Sequence, residues 1–108
     1  MMQPTVDRFI IKRLVDEEPD LSYIENNERL ESYDDGIWEM LFVEAFAEYK
    51  DNDQILTLNS GGIGGIESDD KAGIAMYEKE ELKQVKLRCK DLGIKYSRDT
   101  PVEWSDDD

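Results

Sequence analysis

Apolar positions along this chain fall into short runs broken by charged clusters, and the runs have different periods. Residues 7–15, Asp-Arg-Phe-Ile-Ile-Lys-Arg-Leu-Val, form a β-branched and aromatic run with charges near both ends, which predicts a strand rather than so brief a helix. Pro19 and the acids of Asp16-Glu17-Glu18-Pro19-Asp20 end it in a turn or loop. Across residues 37–50 two periods compete. Trp38, Leu41, Phe42, Ala45 and Tyr49 share a helical face, with Asp34 or Asp35 available as a cap. Leu41, Val43, Ala45, Ala47 and Tyr49 instead alternate with a more polar set that contains Glu44, Glu48 and Lys50, the period of a half-buried strand. The strand is favoured, because Asp51-Asn52-Asp53 reads as a turn and residues 54–59 as a second strand, so one hairpin explains both halves.

Residues 60–70 concentrate four of the seven glycines, the mark of a sharp change of direction, a bulge or a close backbone approach. Leu82, Val85, Cys89 and Leu92 then recur at three and four residues, predicting an amphipathic helix from about residue 78 to 92 that Gly93 terminates. Glu78, Glu80 and Glu81 would occupy its first turn, with Lys86, Arg88 and Lys90 near its end, each sign where the macrodipole favours it. Residues 99–108 read as a frayed acidic tail in which Trp104 is available to dock. These elements predict an α+β fold: an antiparallel sheet of three to four strands with one C-terminal helix packed on it, in a single domain over residues 1–108.

Charge changes this picture more than any motif does. The chain has 27 acids against 13 Lys and Arg, a net of −14, which repels nucleic acid and anionic membrane and points to a cationic partner. Residues 16–35 hold nine acids (Asp16, Glu17, Glu18, Asp20, Glu25, Glu28, Glu31, Asp34 and Asp35) against one base, Arg29, a net of −8. This segment is expected to be an acidic loop excursion whose apolar residues, Leu21, Tyr23, Ile24, Leu30 and Tyr33, pin it to the domain. Seven bases against four acids in residues 71–95 predict a polarised surface. No apolar run approaches the roughly 20 residues of a membrane span, and Met1-Met2-Gln3-Pro4-Thr5 lacks the layout of a secretory signal, so a cytoplasmic location is the expectation.

Residues 42–94 resemble a family of small uncharacterised proteins of phages, plasmids and bacterial genomes. The resemblance rests on Glu44-Ala45-Phe46-Ala47-Glu48, on Ser60-Gly61-Gly62 through Gly65-Ile66-Glu67-Ser68-Asp69, on Tyr77, and on the helix from Glu81-Leu82 to Gly93-Ile94. Asp20-Leu21-Ser22-Tyr23 extends it upstream, and Gly64 departs from it where the family pattern has an aromatic. What it implies is the strand reading of the central run and a mobile-element origin, with no reaction attached.

Candidate chemistry is thin. A phosphate loop starting at Gly62 fails at Glu67, no Gly-Lys-Ser/Thr follows, and Glu67, Asp69 and Asp70 would repel a phosphate. Asp51, Asp53, Asp69 and Asp70 do not match a calcium loop, since Ile55 stands where the next ligand belongs. With no histidine and one cysteine, zinc sites of the Cys/His type, His-dependent triads and internal disulfides are excluded, and Cys89 reads as a small buried hydrophobe. Paired carboxylates are too abundant to mark a hydrolase. No enzyme and no cofactor are expected. A compact domain of this size spans roughly 30 to 35 Å, a length of duplex that carries about 18 to 20 charges, the scale of the net −14. The expected role is a non-enzymatic module that occupies a basic surface by imitating nucleic acid, inhibiting a host nucleic-acid-binding or defence protein. The alternative is a regulatory or assembly subunit whose acidity serves solubility alone.

Overall fold

The computed structural model describes residues 3–107, so Met1, Met2 and Asp108 of the terminal readings lie outside the described residues. In chain order the elements are β1 (Thr5–Asp16), α1 (Asn27–Asp34), β2 (Met40–Asp51), β3 (Gln54–Asn59), β4 (Ile63–Glu67), α2 (Lys71–Asp91) and β5 (Val102–Asp107). The fold is α+β, with an open five-stranded sheet ordered β3-β2-β1-β5 and β4 also paired with β2. Two expectations need correction. The sheet is mixed rather than wholly antiparallel and larger than three to four strands, because the C-terminal segment is not a frayed tail: it pairs in parallel with β1 from Phe9↔Val102 to Leu14↔Asp107. A second helix, α1, lies in the segment read as a loop.

The hairpin expected from the alternation is present. In β2, Val43, Ala45 and Ala47 are fully buried while Glu44 and Glu48 on the opposite face are half-buried. Asn52 and Asp53 turn the chain with φ of 52° and 68°, the two left-handed positions of a type I′ turn, which these residue types tolerate. A bulge between Val6 and Arg8 in β1 puts Val6, Phe9 and Ile11 on one face, where they meet Val85, Cys89 and Ile74 of α2.

The glycine cluster is a doubly bulged strand. Ser60 stands opposite Ala45, its N–H donating to the Ala45 carbonyl (2.9 Å) and its Oγ accepting the Ala45 N–H (3.0 Å). Ser68 repeats the arrangement against Glu39, at 2.8 Å for both bonds. Between these clamps Ile63 faces Val43 and Ile66 faces Leu41, so three residues of the glycine strand twice cover two of β2. Each surplus residue falls in a Gly-Gly pair, where Gly61, Gly62 and Gly65 have φ of 99°, 79° and 74°. The repeated Gly-Gly-Ile thus keeps both isoleucines on the α2 side of the sheet.

Asp70 caps α2 by accepting the Gly73 N–H at 3.0 Å, so the helix begins a full two turns before residue 78. Glu78 and Glu81 therefore lie mid-helix and buried against the sheet, not in a solvent-facing first turn. Arg13 meets Glu78 with two bonds of 3.0 and 2.9 Å, and Ser60 Oγ donates to Glu81 at 2.8 Å. Val85 and Cys89 pack in the core as expected and Leu82 is half-buried against it, whereas Leu92, at the C-cap, is 61% exposed.

The molecule measures 59 × 21 × 21 Å with a radius of gyration of 16.7 Å, well beyond the roughly 13 Å of a compact chain of about 100 residues. Four strands side by side are only about 15 Å wide, so the long axis follows the strands, and 12-residue β1 accounts for about 40 Å of it. Because Asp16 pairs with Met40, the intervening segment lies beyond that end of the sheet and supplies the remaining length.

Candidate partner-binding surface

The acidic segment is ordered from inside by its one base. Asn26 caps α1, its side chain accepting the N–H groups of Glu28 (2.9 Å) and Arg29 (3.4 Å). Arg29 then points inward, its guanidinium 3.8 Å above the Trp38 ring. Its Nε and Nη2 donate to Glu67 Oε1 at 3.0 and 2.7 Å, and its Nη1 and Nη2 donate to the two Asp69 oxygens at 2.7 Å each. Trp38 is 1% exposed, donates from Nε1 to the Arg29 carbonyl at 3.0 Å and takes the Tyr33 ring edge-on. These bonds hold the Arg29 guanidinium more firmly protonated than usual and draw the Asp69 carboxyl below the ordinary aspartate range.

Arg29 was visible only as the segment's lone positive charge; its inward role was not legible. Nor were Trp38, Glu67 and Asp69 singled out as the anchor. An Arg isolated among acids and nine residues before a Trp was the available signal. Of the residues expected to pin the segment, Leu21, Ile24, Leu30 and Tyr33 are half-buried. Tyr23 is exposed and donates weakly from its hydroxyl to Met40 Sδ at 3.8 Å, and partial desolvation of the hydroxyl, followed by the nearby Glu67 charge, raises its pKa.

With Arg29 engaged internally, the nine acids form no ion pair among the described residues. Eight of them, Glu17, Glu18, Asp20, Glu25, Glu28, Glu31, Asp34 and Asp35, are exposed, and Asp16 is half-buried. Glu28, Glu31 and Asp35 recur at helical spacing on the side of α1 away from Arg29 and Tyr33, while the remaining acids lie in the strand end, the loop and the last turn. Bonds from the Ser22 hydroxyl and from its N–H, the latter at 3.0 Å, lower the pKa of Asp20.

Charge of the opposite sign lies along α2. Lys79, Lys83, Lys86 and Lys90 rim a groove of about 640 Å³ whose apolar lining includes Met76 and Leu87. Glu78 and Glu81, the two buried carboxylates, are each bonded, to Arg13 and Ser60, and Cys89 is buried with its thiol pKa raised by desolvation. Among the described residues no three His, Cys, Asp or Glu side chains are grouped to hold a metal ion, and no helix is long and apolar enough to cross a membrane. Comparison with protein-family models, with curated proteins and with solved structures found no match.

Proposed function

We propose that the chain is an acidic docking module that occupies a basic surface of a protein partner through residues 16–35. The supporting observation is the inward commitment of Arg29, which, among the described residues, leaves the nine acids of the strand end, loop and α1 without an ion-pair partner at one tip of the molecule. The observed length changes the scale of the imitation. A duplex 59 Å long carries about 35 charges, more than twice the net of 14, so charge matching over the whole body is poor. At the tip, where the body is 21 Å across, a duplex of that span carries about 12, and the segment holds a net of −8. A local imitation of backbone phosphates fits better than a global one. The partner class is a protein whose basic groove binds nucleic acid, and docking there excludes its ligand; the resemblance to phage and plasmid proteins fits a host defence protein as the target.

Association is then steered by exposed charge and weakens as salt shortens the screening length. Wild type and a variant with Glu17, Glu18, Glu25 and Glu28 all changed to Gln serve as baits for cell lysate, and recovered proteins are identified by mass spectrometry. A basic nucleic-acid-binding protein retained by wild type and lost by the variant is the expected result, with an association rate that falls as salt rises. Equal recovery, or equal rates with equal salt slopes, would remove this segment as the docking surface.

A further inference from the structure

We propose that β3 is a pairing edge through which two copies of the chain join into one continuous sheet. β3 is the outermost strand on its side, and its sequence, Gln-Ile-Leu-Thr-Leu-Asn, carries no charge, no proline and no glycine. It is the one strand of the five without a charged residue, in a chain where 37% of residues are charged.

The other edges are blunted in ways that prevent such pairing. The β5 sequence, Val-Glu-Trp-Ser-Asp-Asp, carries three acids, so a second copy aligned along it would bring like charge toward like charge. β4 follows one glycine bulge, at Gly61-Gly62, and is interrupted by a second, at Gly64-Gly65, which shifts its register against β2. Among the described strands, only β3 combines regular pairing to its neighbour with an uncharged outer side.

Its outward groups follow from the alternation of antiparallel pairs. The N–H of Ser60 bonds the carbonyl of Ala45, so by twos Leu58, Leu56 and Gln54 turn their backbone groups toward β2. Ile55, Thr57 and Asn59 turn theirs outward. Exposed apolar residues lie on both faces of this edge: Leu56 and Leu58 project on the α2 side, where Leu92 is 61% exposed, and Ile55, 64% exposed, projects on the other. Leu58 and Leu92 share a shallow depression with Arg88 and Asp91 where the end of α2 overhangs β3.

A second copy is the occupant that fits. Antiparallel pairing of β3 with itself has a two-fold axis perpendicular to the sheet, so the contact closes at two subunits. Both α2 helices then lie on one face. A register centred on Thr57 sets Leu56 opposite Leu58 of the other subunit and brings the two Leu92 ends toward the junction on the α2 face, while on the other face Ile55 meets Asn59 of the other subunit. Each subunit carries a net of −14, so long-range repulsion opposes the union and added salt favours it. That dependence has the opposite sign to docking of a basic partner.

Sedimentation equilibrium of the intact chain, from about 10 μM to about 0.5 mM protein and at low and about 0.5 M salt, tests this. Wild type is expected to reach a dimer whose dissociation constant falls at least severalfold with salt. Thr57→Lys places like charges directly opposite one another at the centre of the junction, and Thr57→Pro removes an outward N–H that the monomer leaves unpaired. Both variants are expected to sediment as monomers, and circular dichroism matching wild type in at least one of them separates lost pairing from lost folding. A wild type that stays monomeric throughout, a dimer that survives both substitutions, or one that salt weakens would overturn the β3 junction.

Discussion

Gly62 and Gly65 share a left-handed backbone but differ in what surrounds them. A Cβ on Gly62 would stand 2.1 Å from a ring carbon of Phe42, whereas nothing lies within 4 Å of one on Gly65. Gly65→Ala should therefore cost only the backbone penalty, about 1 to 2 kcal/mol, and Gly62→Ala distinctly more because the ring or the bulge must move. Denaturant midpoints of the two variants at equal slope test that order. Asp69 makes a second prediction at this scale. Its pKa is lowered in the folded chain, so its stabilisation is complete above the ordinary aspartate value of about 4 and is lost as pH falls through the lowered one. Half-exposed and screened, it contributes modestly. Emission from buried Trp38 should shift on acidification, and Asp69→Asn should show the altered emission already at neutral pH.

The same contrast between a residue's type and its surroundings decides how the elements behave. Val85→Ala should destabilise by about 2 to 3 kcal/mol, because the side chain is wholly buried between α2 and the sheet, and Leu92→Ala by less than about 0.5 kcal/mol. Thermal or denaturant unfolding of the pair distinguishes this helix placement from one with Leu92 inward. Periodicity made the β2–β3 hairpin and the core side of α2 legible, since alternate burial in Val43, Ala45 and Ala47 leaves a direct trace in the sequence. The start of α2 was hidden because Gly73 and the absence of acids in the first turn look unlike a helix; Gly73 is there because a Cβ would collide with the capping Asp70 carboxylate at 2.3 Å. β5 was hidden by its acids, which suit a solvated tail. Glu103 is accommodated beside β1 because Arg8 reaches across to it, a complement that only the register reveals. At the candidate surface the acids were legible as composition, and the Arg29 anchor that orders them was not.

At the scale of the molecule, charge is segregated along a 59 Å body, with the acidic tip beyond one end of the sheet and lysines along the helix. The proposed docking at the tip and the proposed pairing at β3 should respond to salt with opposite signs, the first weakened and the second strengthened, so a salt series tests the two surfaces without a mutation. The parallel union of β1 with β5 has a mechanical meaning as well. Both strands run the same way, one near the start of the chain and the other near its end. Tension applied between the two ends would slide these strands past one another in shear, loading the ladder from Phe9↔Val102 to Leu14↔Asp107 as a whole. The hydrogen bonds would have to fail together, whereas drawing β2 and β3 apart at the end away from their turn would open that hairpin one pair at a time.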